Sequence, residues 1–248
     1  MRLAVCLCQV PDTASVIGFV DGHVDLSRVN EVMNPYDEYA LEEAVRCKER
    51  FVESVVTVFT VAPASAKEML RKALAMGADH AVHVIDTPAS DPLQTAQVLS
   101  QAITAFYKET FPDLIFCGKQ STDFQSAQVP SMLAELLGIT AVTGITTLQF
   151  LAETLQVERE IEGGIESFEL HTPALFSAEK GLNIPRKTSI KAVMEARKKT
   201  IEQLSFLPDD SPCVTITALQ PFERKKQCRF LTDEKELVRF LHEEHALF

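Results

Sequence analysis

The chain has 248 residues, and 24 Lys+Arg against 35 Asp+Glu give a formal charge of −11, which excludes a protein that holds nucleic acid by neutralising its phosphates. With 46% hydrophobic and 24% charged residues, the composition is that of a globular protein of one large domain or two small ones. No run reaches the roughly 18 consecutive apolar residues of a membrane helix. The opening MRLAVCLCQVPDT is too briefly apolar for a signal-peptide core, so the expectation is a first strand of a cytoplasmic protein.

Arg2–Val10 reads as that strand. Asn34 and Pro35 then open a helix running to Arg50, with Asn34 at the cap and proline at the first helical position, where its fixed φ fits and its missing N–H costs nothing. Ser54–Val61 is a second strand, Ser65–Met76 a helix stopped by Gly77, and Ala81–Ile85 a third strand. Pro92–Glu109 is a long helix, Leu114–Cys117 a short strand, and Gln128–Leu137 a helix ended by Gly138. This alternation predicts an α/β fold: an open, mostly parallel sheet with helices on both faces.

Beyond residue 140 the pattern changes. Thr140–Phe150, Thr154–Ile161 and Ile165–His171 are strand-like, and Glu162-Gly163-Gly164 joins the last two as a β-hairpin; Leu175–Ala178 adds a further short strand. Glu179–Lys199 holds seven basic residues (Lys180, Arg186, Lys187, Lys191, Arg197, Lys198, Lys199) against Glu179 and Glu195, a local +5 inside a −11 chain. A linker, Pro208-Asp209-Asp210-Ser211-Pro212, and a helix near Asp233–Glu244 complete the chain. The expected division is an α/β body over 1–200 and an extended C-terminal arm over 201–248 that buries little by itself and packs on a partner.

Signatures of familiar chemistry are missing. Nine glycines form neither GxGxxG nor GxxxxGK[ST], so a nucleotide site must be built otherwise. Cys6 and Cys8, two apart on one strand, share a face but have no second pair at zinc spacing; the six cysteines read as reduced thiols. His242 and His245 stand three apart in HEEH, not the four of the zinc-protease HExxH helix.

A site is expected in the crevice beyond the carboxyl ends of the parallel strands. Three loops converge there: Cys8–Thr13, Val61–Ser65 and Gly118–Val129. In the third, Gly118 permits close backbone approach, Asp123, Ser126 and Gln128 offer polar atoms, and the following helix start presents free N–H groups suited to a phosphate.

Six segments then carry a resemblance: QVPDT (Gln9–Thr13), MNPYDEYALEEAVR (Met33–Arg46), ALAMGAD (Ala73–Asp79), GKQSTDFQSAQV (Gly118–Val129), VEREIEGGIE (Val157–Glu166) and GLNIPRKTSIKAVMEARKK (Gly181–Lys199). In that order they resemble the beta subunit of electron transfer flavoprotein over nearly residues 1–200. The resemblance implies a Rossmann-like, adenine-nucleotide-binding body, a heterodimer with an alpha subunit carrying the redox FAD, and electron flow from flavin dehydrogenases such as acyl-CoA dehydrogenases. It implies an electron carrier without catalytic residues of its own. The beta subunit of that family holds AMP in ordinary members and a second FAD in bifurcating ones. Carried over residue by residue, its nucleotide contacts fall on the backbone around Cys6 and Cys8, the side chain of Asn34, the backbone at Val61, and Asp123, Ser126, Ala127, Gln128 and Val129. Its dehydrogenase-docking loop falls on Glu179–Lys187, with Leu182 as an exposed anchor and Arg186 among the basic residues around it. An apolar anchor ringed by positive charge suits an acidic partner.

The chain departs from the family at Cys8, where many members have lysine, and in DFQSAQVPS, where many bifurcating members read DGDTAQVGP. Phe124 stands for a glycine able to take positive φ, Gln125 for an acid, and Pro130 removes one N–H of the first helical turn. Two other classes share the architecture: a nucleotide-hydrolase-like enzyme, for which Asp12 and Asp123 are the candidate bases, and a non-redox nucleotide sensor, which has no use for the Leu182 loop.

Overall fold

The computed structural model describes residues 1–20, 23–85, 91–209, 211–220 and 228–244. Among these, nine strands form one sheet. In chain order its elements are β1 (Arg2–Cys6), α1 (Pro35–Arg50), β6 (Val55–Val61), α2 (Lys67–Met76), β7 (His80–Val84), α3 (Pro92–Tyr107), β8 (Leu114–Gly118), α4 (Val129–Leu137), β9 (Thr140–Phe150), β10 (Leu155–Ile161), β11 (Gly164–Leu170), β12 (Ala174–Ala178), α5 (Ile190–Lys198) and β13 (Ile201–Leu204). Four short strands lie between β1 and α1 outside that sheet: β2 (Gln9–Pro11), β3 (Gly18–Val20), β4 (His23–Asp25) and β5 (Glu31–Met33).

Across the sheet the order is β11-β10-β9-β12-β8-β1-β6-β7-β13. All neighbours from β9 to β13 pair parallel, while β10 and β11 are antiparallel additions closed by a turn with Gly163 at φ 83°. After β1 the chain builds outward through β6 and β7, then crosses by α3 to the other side of β1 and lays down β8. The order therefore reverses between β1 and β8, the place where open α/β sheets bind ligands.

Period-two alternation divides the core. Leu3 and Val5 of β1 face one side with Leu41 and Val45 of α1 and Leu70 and Leu74 of α2. Ala4 and Cys6 face the other, with Leu99 and Ile103 of α3 and Leu133 of α4. Helices thus cover both faces, as the alternation predicts. Gly77 (φ 131°) ends α2 and Gly138 (φ 66°) ends α4, glycine being the residue that takes these angles without strain.

Four features differ from the sequence expectation. The first strand stops at Cys6: the chain turns out of the sheet, and Gln9–Pro11 pairs instead with Glu31–Met33. The cap of α3, which the sequence reading left unassigned, is Asp91, its carboxylate accepting from the Gln94 amide at 2.8 Å. The basic run is partly structural, since Arg71 grips the Ala196 carbonyl and Lys199 reaches the Ala78 carbonyl, docking α5 on α2. That docking delivers Ile201–Leu204 as an edge strand on β7, so the chain leaves the sheet only after Leu204. The last helix is α6 (Glu234–Arg239), continued by a π turn over Phe240–Glu244; Asp210 and His245 lie outside the described residues.

At Gly118, the end of β8, an added Cβ would lie 2.1 Å from Asp37 Oδ1 and 2.9 Å from the Asp37 nitrogen. Strand β8 reaches α1 only because this position lacks a side chain. Gly118→Ala should destabilise the protein by on the order of 3 kcal/mol, through overpacking and the loss of the Asp37 contact; urea unfolding beside the wild type measures it, and a change below about 0.5 kcal/mol would rule out the tight approach.

Candidate functional site

The crevice at the switch point has a volume of about 690 Å³, within the range of small-molecule sites. Its floor is organised by a residue that the sequence reading did not single out. Asp37, in the first turn of α1, is 4% exposed and accepts three hydrogen bonds. The Cys8 amide donates to Oδ2 at 2.6 Å, while the Gly118 amide and the Asn34 side-chain amide donate to Oδ1, each at 3.0 Å. One carboxylate thereby ties the exits of β1 and β8 to the start of α1. Burial pushes its pKa up to about 7, with a smaller upward push from the neighbouring Glu38 charge, against the three hydrogen bonds, which pull it down. An acidic residue three positions after Asn34 is the sequence signal that marks it.

Asn34 occupies the cap position of α1, yet its side chain caps nothing. Its amide nitrogen donates to Asp37 and to the Gln120 carbonyl at 2.9 Å. Its Oδ1 is buried on the crevice wall without a hydrogen-bond partner. A buried acceptor left unpaired is costly.

The loop Gly118–Val129 forms the polar side. Gln125 and Ala127 both have φ 54°, so the left-handed positions fall at 125 and 127 and not at Phe124, which stands 64% exposed on the crevice rim. Non-glycine residues in this region carry strain that clusters at binding sites. Ala127 at positive φ is followed by Gln128 in the right-handed region (φ −97°, ψ −37°). That alternation curls successive backbone N–H groups into a concave cradle for an anion. No side chain caps α4 at its start, so the helix amides stay available to a ligand.

The crevice lining includes Cys6, Cys8, Asn34, Val61, Asp123, Ser126, Ala127, Gln128 and Val129. All nine positions singled out in the sequence thus meet in one place, drawn from β1, α1, β6 and the α4 loop. Cys117, Asp91, Leu99, Val214 and Ile216 complete walls that sequence reasoning missed. Asp12 does not line it: its carboxylate accepts from the Ala14 amide at 3.0 Å beside a smaller hollow that Asp123 borders as well. Among the described residues no three His, Cys, Asp or Glu side chains gather as a metal site, and no helix is long and apolar enough to cross a membrane.

The loop after β12 departs from its expectation. Leu182 is half-buried against the core, and the aliphatic side chain presented to solvent is Ile184, 89% exposed. Gly181 at φ 110° turns the chain so that Leu182 tucks in, and Asn183 hooks onto the Tyr39 carbonyl and Glu43, both at 2.9 Å. Arg186 forks onto Glu42 at 2.8 and 3.0 Å and onto Glu49 at 2.6 and 3.0 Å. Its donors are thus engaged by α1, with its pKa raised by the Glu49 and Glu42 hydrogen bonds. Lys119 pairs with Glu179 at the base of the loop.

Fold and crevice define a doubly wound α/β protein of the kind that takes its ligand at the switch point. Comparison with known families gives the rest. Residues 21–208 match the model of the electron transfer flavoprotein domain. The electron transfer flavoprotein subunit beta of Thermoanaerobacterium thermosaccharolyticum is 41% identical over 202 residues, covering 80% of this chain and 76% of the relative. The proteins of the same name from Bacillus subtilis (36% over 247 residues, 99% and 93%) and Clostridium acetobutylicum (40% over 205 residues, 82% and 77%) are similar as well. The chain belongs to the electron transfer flavoprotein family, among its beta subunits.

The raised pKa of Asp37 gives a signed expectation. A carboxyl that holds its proton more tightly when folded stabilises the fold fully below its unfolded pKa, and that contribution is lost as pH rises through the folded value. The stability advantage of wild type over Asp37→Asn should therefore be greatest near pH 4 and shrink towards pH 7. Urea unfolding of both proteins across that range measures it; an advantage that grows with pH would show that the hydrogen bonds to the carboxylate outweigh its burial.

Proposed function

We propose that this chain is the beta subunit of a heterodimeric, cytoplasmic electron transfer flavoprotein, that it holds AMP in the crevice, and that it docks flavin dehydrogenases of the acyl-CoA dehydrogenase kind. The observation that carries the nucleotide assignment is the unpaired Asn34 Oδ1 buried on the crevice wall. In this reading it accepts a hydrogen bond from the adenosine. The N–H cradle at Ala127–Val129 takes the phosphate, Asp123, Ser126 and Gln128 supply polar contacts around it, and the backbone at Cys6, Cys8 and Val61 borders the nucleoside. AMP supplies no redox chemistry, and the FAD of the alpha subunit supplies the electron transfer. This chain's residues bind the nucleotide, exclude water from it and present the surfaces on which the other proteins sit.

The arm beyond Leu204 packs on the alpha subunit. Support comes from Leu207, Phe230 and Val238, which stand exposed along it and would be costly to leave in water in such number. Docking is assigned to the loop Glu179–Lys187 with Leu182 and Arg186. Arg186 fixes the loop to α1 through Glu42 and Glu49, and Ile184 stands beside Leu182 as a second aliphatic contact.

Co-expression with an alpha subunit, purification of the dimer, and mass analysis of what denaturation releases should yield AMP at one per beta chain besides the FAD of the alpha subunit. A second FAD per dimer would assign the crevice to the bifurcating kind, and no adenine nucleotide at all would sink the reading. Leu182→Ala should weaken the dehydrogenase complex by about 1–3 kcal/mol, read as a raised apparent KM of the dehydrogenase for the flavoprotein, with a small fall in melting temperature because the side chain is half-buried. Ile184→Ala should raise the KM without that fall. If neither variant moves the KM, this loop is not the docking site.

A further inference from the structure

The C-terminal segment passes along the crevice, and one carboxylate holds it there. Asp91 caps α3 through Oδ1, which accepts from the Gln94 amide at 2.8 Å, while Oδ2 accepts the amides of Cys213 at 2.6 Å and Val214 at 3.1 Å. A second tie, Gln101 Nε2 donating to Asp209 Oδ1 at 2.8 Å, fixes the incoming chain one helical stretch further along α3. Val214 and Ile216 both line the crevice, with Pro92, Thr95 and Leu99 of α3, yet they remain 59% and 51% exposed. Two β-branched side chains thus stand half-exposed on a wall whose backbone is held at Cys213 and Val214 by hydrogen bonds.

The crevice has two chemical sides. The α4 loop brings the N–H cradle, Asp123 and Gln128; the α3 side brings Leu99, Val214 and Ile216, and the Asp91 carboxylate there has its oxygens occupied by backbone amides. A nucleoside monophosphate has the matching division, a charged phosphate at one end and a flat, weakly polar base at the other.

We propose that the segment Cys213–Ile216, pinned by Asp91, is the outer wall of the nucleotide crevice, and that Val214 and Ile216 receive the face of the adenine base. The proposal rests on the reading of the crevice as an AMP site and extends it to residues outside the α/β body. It makes Asp91 a positioning residue, acting on the ligand through the two amides that it holds. It also couples two events: whatever seats the arm tightens the nucleotide, and the nucleotide in turn tightens the seat of the arm, by the reciprocity of linked equilibria.

The test uses the purified heterodimer, stripped of nucleotide and titrated with AMP by calorimetry, together with hydrogen exchange at the amides of Cys213–Ile216. The double variant Val214→Gly, Ile216→Gly removes the apolar wall without touching the core, and should bind AMP at least tenfold more weakly with the melting temperature of the stripped dimer unchanged. Asp91→Asn should weaken AMP and leave residues 213–216 exchanging at the same rate with and without it, whereas in wild type AMP slows them. A double variant that binds AMP within twofold of wild type would overturn the wall while leaving the nucleotide site standing. A wild-type dimer that takes up no AMP would overturn the site and the wall with it.

Discussion

The molecule depends on a single buried carboxylate bonded to three separate pieces of chain. Asp37 joins the Cys8 amide at the exit of β1, the Gly118 amide at the exit of β8 and the Asn34 side chain at the head of α1. Removing a carboxylate from water is unfavourable unless its oxygens are occupied, and here the occupants are the groups that otherwise would be orphaned where two parallel strands end beside a helix start. The arrangement is sterically demanding as well. The oxygens approach where a Cβ on residue 118 would sit, so carboxylate and glycine require each other. With the two strand exits fixed at this spacing, the crevice opens between them, and Asn34, which lines it, keeps one oxygen unpaired.

Around that junction the fold separates stiffness from adjustability. The floor is set by the parallel strands and α1, whose facing residues are fully buried. The walls are loops: the α4 approach, with positive φ at Gln125 and Ala127, and the arm held by Asp91. A site with a rigid floor and hydrogen-bonded loop walls keeps its location while its shape follows local sequence. Phe124 of the loop and Pro130 of α4 both line the crevice.

Much of the fold was legible because it follows from repetition. The strand–helix alternation from Ser54 to Leu137, the stops at Gly77 and Gly138, and the hairpin at Gly163 each rest on period or on a residue with restricted backbone freedom. The nine crevice positions were found by a resemblance, and the switch-point rule said independently where such residues belong. What escaped was non-repetitive. β2 and β5 are three residues each, too short to show a period, and their pairing depends on the chain turning outward at Leu7. β13 follows a run of lysines that resembles a solvated end, because the contacts that dock α5, from Arg71 and Lys199, lie far away in sequence. Leu182 was expected outside because the resemblance put a docking anchor there, but Asn183 and Arg186 find carboxylates on α1 and draw the loop inward. Asp91 was not singled out in the sequence; its second role needs residues more than a hundred positions later.

The position of β12 has a consequence for how the chain is made. It lies between β8 and β9 and pairs parallel with both, but it follows them in sequence, after the whole β10–β11 hairpin. A ribosome-bound chain that has completed β8 and β9 therefore holds two strands that cannot meet, each with an unpaired edge on the side where the other will stand. The gap is filled only when Ala174–Ala178 emerges and slides between them, joining the hairpin to the rest of the sheet in one step. Until then the nascent protein carries two bare edges inside the future sheet, of the sort that recruit foreign strands, besides the outer edge of β7, which stays open until Ile201–Leu204 is made.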